Sequence, residues 1–159
     1  MKALVTGGGG FLGKAIVTKL LERGDTVRSL ARGDYPELTA RGVETLRGDL
    51  ADSDVVMHAV EGCDTVFHVA GKAGMWGPEE EYRLTNLVGT DNVISACRKH
   101  AVPRLVYTST PSVVHSGGDI EGADESLPYA EHFEGPYPAT NAAAERLVLA
   151  ANGDHLPTV

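Results

Sequence analysis

Four consecutive glycines, with a fifth after Phe11 and Leu12, sit near the start of this chain, in Val5-Thr6-Gly7-Gly8-Gly9-Gly10-Phe11-Leu12-Gly13. The apolar run Ala3-Leu4-Val5 precedes them. Phe11, Leu12, Ala15, Ile16, Leu20 and Leu21 follow at helical spacing. A chain that passes from strand to helix through such a segment must turn tightly and aim backbone N–H groups outward. Gly7 permits the sharp turn, Gly10 leaves no side chain between the backbone and an approaching phosphate, and Gly13 lets the helix pack closely on the strand. The partial positive charge of the helix N-terminus adds to the attraction for an anion. The plain alternative for a glycine-rich stretch is a flexible loop. A strand before it and an amphipathic run after it point instead to a pyrophosphate-binding turn.

The remaining pattern alternates strand and helix, without internal repeats. Strands are predicted at Lys2–Thr6, Thr26–Ala31, Val43–Arg47, Thr65–Ala70 and Arg104–Ser109. Helices are predicted at Gly10–Arg23, Asp52–Val60, Glu79–His100 and Tyr137–Ala151, with one short turn around Pro36 and a long polar loop from Pro111 to Pro136. Asp52 or Ser53 supplies an N-cap and Gly62 a stop. Pro78 suits the first position of the long helix. Alternating βαβ units imply right-handed crossovers and a parallel sheet covered on both faces, of the doubly wound α/β class, with order 3-2-1-4-5 and a crevice beside strands one and four. Leu156-Pro157-Thr158-Val159 reads as the opening of a sixth strand. The expectation is therefore the N-terminal, dinucleotide-binding part of a longer protein; the alternative is a short natural domain with a frayed tail.

With 159 residues, the chain has the size of one domain, and its 42% hydrophobic content suffices for a core. A formal net charge of −8 argues against nucleic acid or anionic membrane as a partner. No apolar stretch reaches the length of a membrane span, and the N-terminus does not read as a signal peptide. Cys63 and Cys97 are isolated, reduced and structural in this reading, which places the protein in the cytoplasm. Six histidines without ligand spacing offer no metal site. His68, in an apolar strand, reads as a satisfied core residue.

Several segments narrow the class. Thr6-Gly7-Gly8-Gly9-Gly10-Phe11-Leu12-Gly13 resembles the T-G-x-x-G-F-L-G signature of extended short-chain dehydrogenase/reductases, the NAD-dependent epimerase/dehydratase superfamily. Gly48-Asp49-Leu50, His68-Val69-Ala70-Gly71, Asn86 with Gly89-Thr90, Tyr107-Thr108-Ser109-Thr110 and Tyr137 follow in that family's order across almost the whole chain. His68–Gly77, Pro103–Val113 and Ala142–Asn152 resemble the 3β-hydroxysteroid dehydrogenase-like branch, and within it the 2-alkyl-3-oxoalkanoate reductases of bacterial long-chain olefin synthesis.

The resemblance implies roles. Phosphates lie over Gly7, Gly10 and Gly13, with Gly9, Phe11 and Leu12 in the same turn. Asp49 and Leu50 flank adenine, and Asp49 accepts from its amine. Ala70 and Gly71 let the cofactor pass, and Lys72 and Tyr137 complete the cofactor-binding set. Asn86 fixes a kink or a water, or is an ordinary polar helix residue. Strand two ends in Ala31-Arg32 rather than in a carboxylate. A guanidinium can hold a 2′-phosphate through a charge-assisted pair, so NADP is expected over NAD, with Asp34 nearby to blunt the preference. The reaction centre is expected at Tyr137 and Thr110: the phenol exchanges a proton with a substrate carbonyl, and Thr110, or Ser109 in another register, hydrogen-bonds the same oxygen. A free phenol titrates at about 10, so a neighbouring cation is needed to favour phenolate. Here the chain departs from the family: Tyr-x-x-x-Lys becomes Tyr137-Pro138-Ala139-Thr140-Asn141. Lys72 and Arg146 are the other cations near in sequence.

Three functions follow. The first is an NADP-dependent reduction of a keto group to a hydroxyl, on a 2-alkyl-3-oxoalkanoic acid or a sterol-like substrate. The second is a non-catalytic NADP-binding module, used as a redox sensor or within a multi-enzyme assembly. A sugar-nucleotide epimerase or dehydratase with bound NAD is a third. Relatives of this type dimerise through the two long helices, and Leu84, Leu87, Val88, Leu147 and Val148 could supply the homodimer contacts. Met75 and Trp76 could line the substrate opening or simply pack a loop.

Overall fold

The computed structural model describes residues 1–159 except Met75 and Ser116. The element order is β1 (Lys2–Thr6), α1 (Phe11–Glu22), β2 (Thr26–Ala31), α2 (Pro36–Thr39), β3 (Glu44–Arg47), α3 (Ser53–Val60) and β4 (Thr65–His68). Then come α4 (Glu79–Tyr82), a π-helical segment (Arg83–Val88), α5 (Gly89–Lys99), β5 (Leu105–Tyr107), a 3-10 turn (Pro111–Val113) and α6 (Pro136–Ala151). All four strand pairings are parallel, in the order β3-β2-β1-β4-β5. β1 is therefore central, with Ala3 beside Val27 on one side and Thr65 on the other.

Alternation along β1 divides the core. Leu4 faces α3, α5 and α6 with Leu30, Val66 and Leu105, whereas Ala3 and Val5 face α1 and α2 with Val17, Leu20 and Leu38. Helices thus cover both faces of a parallel sheet, as buried parallel strands require. Cys63 and Cys97 are free thiols within the first core. Burial pushes the Cys97 thiol up to about 12. Beneath the sheet, the buried Arg28 guanidinium caps the end of α3, donating Nη1 to the carbonyls of Ala59 (2.7 Å) and Glu61 (2.9 Å), and pairs with Glu44 at 3.0 Å.

Three elements differ from the sequence pattern, each for a local reason. β4 stops at His68 rather than Ala70 because the next two amides, of Val69 and Ala70, both donate to the Thr6 hydroxyl at 3.1 Å. The predicted helix over Glu79–His100 is interrupted by the π-helical segment, where Thr90 Oγ1 donates to the Asn86 carbonyl at 2.5 Å and Asn86 is drawn inward. β5 is confined to Leu105–Tyr107 because its partner β4 ends at His68, opposite Tyr107; beyond it Ser109 Oγ donates to Glu145 on α6. The tail adds a single parallel bridge, Leu105 to Thr158, beside β5. Asp52 caps α3 from its side chain, accepting from Asp54 N and Val55 N. Of the residues expected at a dimer contact, Val148 is buried and Leu147 packs on the same internal core. Val148 is thus taken up by the internal core, whereas Leu147 is half-buried, as are Leu84, Leu87 and Val88.

The glycine turn fixes the top of β1. Gly7 has φ +71°, and a Cβ built on Gly13 would lie 2.1 Å from the Gly7 carbonyl oxygen. No side chain fits between them. Gly13→Ala is therefore expected to shift α1 off β1 and to destabilise the fold by about 1–3 kcal/mol, read as a lower midpoint in urea denaturation. An unchanged midpoint would show that α1 does not depend on this approach.

Candidate functional site

α1 begins without a side-chain cap and without an acidic residue in its first turn. Gly10 N closes the turn on Gly7 O at 2.9 Å, leaving the first-turn amides of the helix as unpartnered donors at its positive end. They open on a crevice of about 450 Å³. Gly7, Gly10, Phe11, Leu12 and Gly13 form one wall; Ala31 and Arg32 at the end of β2, Asp49 and Leu50 after β3, and Ala70 and Gly71 after β4 form the others. Expected cofactor residues from four separate segments thus meet around one opening at the carboxyl ends of the strands, where ligands of open α/β sheets bind.

Some expected residues lie elsewhere. Gly9 is not part of the crevice lining; an added Cβ there would meet the Tyr35 ring at 2.3 Å, so this glycine makes room for Tyr35, which does line the crevice. The Lys72 ammonium turns to Glu81 at 2.8 Å and lies over the Tyr82 ring at 5.0 Å, because the acidic start of α4 offers a carboxylate. Asn86 is 3% exposed and clamps the backbone of Lys72, accepting from Lys72 N at 2.7 Å and donating to Lys72 O at 3.1 Å. Asp34 is absent from the lining that contains Arg32, Gly33 and Tyr35. Met75 lies outside the described residues. Trp76 is exposed, and its carbonyl accepts from the Tyr82 hydroxyl at 3.0 Å.

A second, smaller cavity of about 130 Å³ continues from the crevice, sharing Val69, Ala70 and Gly71 with it. Thr108, Ser109, Tyr137 and Asn141 line it, together with Asn86, Thr90 and Tyr107. A third cavity of about 380 Å³ shares Ala73 and Tyr137 with the second, and its wall includes Ser112, His115, Phe133 and Pro138. Tyr137 therefore stands at the junction of an inner cavity, joined to the glycine turn, and an outer one.

The other expected reaction-centre residues are divided. Ser109 lines the inner cavity but donates its hydroxyl to Glu145, which also accepts from the Tyr129 hydroxyl at 2.9 Å. Thr110 is outside that lining and caps the 3-10 turn, accepting from Ser112 N at 3.3 Å. Asn141 faces the inner cavity, yet its Nδ2 donates to the Tyr137 carbonyl at 2.9 Å. Arg146 lies over the Tyr129 ring at 4.1 Å. Neither Lys72 nor Arg146 therefore supplies the charge that Asn141 lacks. Burial first, and then the Glu145 carboxylate, push the Tyr107 phenol up, which keeps it protonated beside Tyr137. Tyr35 and Glu145 are signalled by no motif; Glu145 could have been found as two helical turns beyond Tyr137, on the same face as Asn141.

Among the described residues, no cluster of three or more His, Cys, Asp or Glu could hold a metal ion, and no helix is long and apolar enough to cross a membrane.

A five-stranded parallel sheet, a bare glycine turn and a crevice at the carboxyl ends of β1, β2 and β4 define a Rossmann-type fold of the short-chain dehydrogenase/reductase and epimerase kind. More particularly, the chain belongs to the 3-beta hydroxysteroid dehydrogenase/isomerase family, whose model matches residues 4–158. A 2-alkyl-3-oxoalkanoate reductase of Stenotrophomonas maltophilia is 57% identical over 162 residues, covering 100% of this chain and 49% of the relative. A 3 beta-hydroxysteroid dehydrogenase/Delta 5-->4-isomerase of Mycobacterium tuberculosis is 44% identical, covering 96% and 43%. The chain thus spans about half the length of these relatives. Among solved structures, MoeE5 in complex with UDP-glucose and NAD superposes with a TM-score of 0.84 at 32% identity, covering 99% of this chain and 52% of that one. The UDP-glucose 4-epimerase of Thermus thermophilus in complex with NAD gives 0.83 at 34%, covering 94% and 50%.

His68 carries a pH prediction. Burial holds its imidazole at about 4, below the ordinary 6.5. Between those values the unfolded chain binds more protons, so stability is complete above about pH 6.5 and falls as pH drops toward 4, by about 3 kcal/mol in all. Urea midpoints at pH 7 and pH 5 check this, with His68→Gln expected to flatten the difference. An equally steep fall in that variant would assign the effect to other groups.

Proposed function

We propose that this chain is the cofactor half of an NADP-dependent oxidoreductase that reduces a keto group to a hydroxyl, on a substrate of the 2-alkyl-3-oxoalkanoic acid type. The observation that carries the reading is the position of Tyr137, in the wall common to the inner and outer cavities. The glycine cradle fits a dinucleotide: a Cβ at Gly13 would strike Gly7, and the N-terminus of α1 presents amides with no side-chain cap. Gly7, Gly10 and the α1 amides would hold the diphosphate, Asp49 and Leu50 the adenine, and Ala70 and Gly71 the passage toward Tyr137. When bound, the nicotinamide supplies the hydride.

Tyr137 then gives its phenolic proton to the carbonyl oxygen as charge develops there, and Ser109 or Thr110 donates to the same oxygen. The expected choice between them depends on a rearrangement: Ser109 would have to leave Glu145, and Thr110 would have to leave its cap. The outer cavity, with Phe133 and Pro138 in its wall, suits an alkyl-bearing substrate. The names of the two 2-alkyl-3-oxoalkanoate reductases, at 57% and 50% identity, support that substrate class.

NADP rather than NAD is proposed on the wall at the end of β2. Arg32 lines the crevice there, and Asp34 does not. Several structural neighbours are named with NAD, so the nicotinamide cofactor has support at the coarser level. Arg32→Ala is expected to weaken NADPH binding at least tenfold and leave NADH unchanged, measured by fluorescence titration. Equal loss for both would remove Arg32 as the discriminator.

One observation favours a second reading, a non-catalytic NADP-binding module. The Asn141 amide is engaged by the Tyr137 carbonyl, and neither Lys72 nor Arg146 replaces the family's lysine. The two readings separate on turnover of NADPH with a β-keto acid. Under the first, Tyr137→Phe lowers the rate about a hundredfold and Asn141→Lys raises it at least tenfold. If NADPH binds while neither substitution changes a baseline rate, the second reading stands. A cytoplasmic location and a homodimer belong to the same proposal. The dimer would use the half-buried Leu84, Leu87, Val88 and Leu147 rather than the buried Val148.

A further inference from the structure

Five of the buried polar side chains form one connected line beneath the cavities. Thr6, His68, Thr90, Asn86 and Thr140 are between 0% and 8% exposed. Thr6 Oγ1 lies 2.8 Å from His68 Nδ1, and His68 Nε2 lies 3.0 Å from Thr90 Oγ1. Thr90 Oγ1 donates to the Asn86 carbonyl at 2.5 Å, Asn86 Nδ2 donates to Thr140 Oγ1 at 3.1 Å, and Thr140 Oγ1 donates to the Pro136 carbonyl at 2.6 Å. The line starts at the last residue before the glycine turn and ends on the first turn of the helix that carries Tyr137.

The direction of every bond follows from donor and acceptor capacity. Thr6 Oγ1 already accepts from Val69 N and Ala70 N, so its only hydrogen points at His68 Nδ1. Asn86 O can only accept, so the Thr90 hydrogen points there and His68 must donate from Nε2. His68 is thereby neutral, with its proton on Nε2. The Asn86 amide is fixed as well, because Lys72 N needs its oxygen and Lys72 O needs its nitrogen.

We propose that His68 and Thr90 are positioning residues: their one-way hydrogen-bond line sets the placement of Tyr137 relative to the wall formed by Val69 and Ala70. At one end the Thr6 hydroxyl fixes the two amides after β4, in the segment shared by the crevice and the inner cavity. At the other end, holding the Asn86 carbonyl orients the π-helical segment so that the Asn86 amide reaches both Lys72 and Thr140. Only the kinetic part of the test rests on the redox reading of Tyr137 given above.

The test compares Thr90→Val, which keeps the shape but removes the hydroxyl, with Thr90→Ser, which returns it. Amide hydrogen exchange at Ala139, Thr140 and Asn141 is expected to quicken about tenfold in Thr90→Val and to recover in Thr90→Ser, with the last turn of α6 unaffected. The rate of carbonyl reduction is expected to fall about tenfold in Thr90→Val, with KM for NADPH within about twofold, and to be rescued by Thr90→Ser. Unchanged exchange in Thr90→Val, or a loss spread evenly over the whole fold, overturns the proposal. If the wild-type chain shows no turnover, the redox reading has failed, and exchange alone decides the line. If Thr90→Val does not fold, long-range 1H–15N spectra of the histidine-labelled wild type decide. Protonation of His68 on Nε2 at neutral pH supports the line, and protonation on Nδ1 overturns it.

Discussion

Gly13 meets the Gly7 carbonyl at a distance no side chain could tolerate, since an added Cβ would sit 2.1 Å from that oxygen. From this one contact the upper half of the molecule follows. It seats the start of α1 against the top of β1, which lets Gly10 close the turn and leaves the first helical amides pointing into open space. β1 is also the central strand, so the direction of those amides is fixed against both halves of the sheet. The crevice-lining residues at the ends of β2, β3 and β4 then need no special placement, because parallel register delivers them to the same edge.

Beneath that edge the structure uses polar rather than apolar material. Thr6, His68, Thr90, Asn86 and Thr140 fill a space between sheet and helices where every side-chain nitrogen and oxygen of the five has a hydrogen-bond partner. Such a network costs desolvation and returns specificity: it tolerates only one arrangement of its members. The π-helical segment is part of the same solution. It displaces the helix locally so that Asn86 points inward while Gly89 passes Leu50, where an added Cβ would lie 2.7 Å from the Leu50 Cβ.

Much of this was legible in the chain. The glycine spacing, the β-strand order and the gathering of Arg32, Asp49, Leu50, Ala70 and Gly71 follow from periodicity, from the motif and from the resemblance it carries. His68 as a satisfied core residue was legible too, as an apolar-strand histidine. The rest depends on partners distant in sequence. Gly9 resembles the other glycines of the turn until Tyr35 is seen above it, and the motif gives no sign that the Lys72 ammonium turns to Glu81. The break in the helix over Glu79–His100 comes from a hydroxyl one turn away and a backbone clamp at Lys72, neither of which alters the apolar period. Ser109 and Thr110 carry the right chemistry in adjacent positions, and only Glu145 and the 3-10 turn reveal where each hydroxyl is engaged.

Asn141 concentrates the chemical question at one atom, since its amide satisfies a backbone carbonyl where the family places a charge. The most direct measurement is a titration of the 15N-labelled chain with NADPH, following backbone amide shifts. Movement concentrated at Gly10, Phe11, Leu12 and Gly13, with Gly24 and Gly42 still, is the expected result. Saturating nucleotide that leaves those four amides in place would show that the glycine turn does not receive a diphosphate.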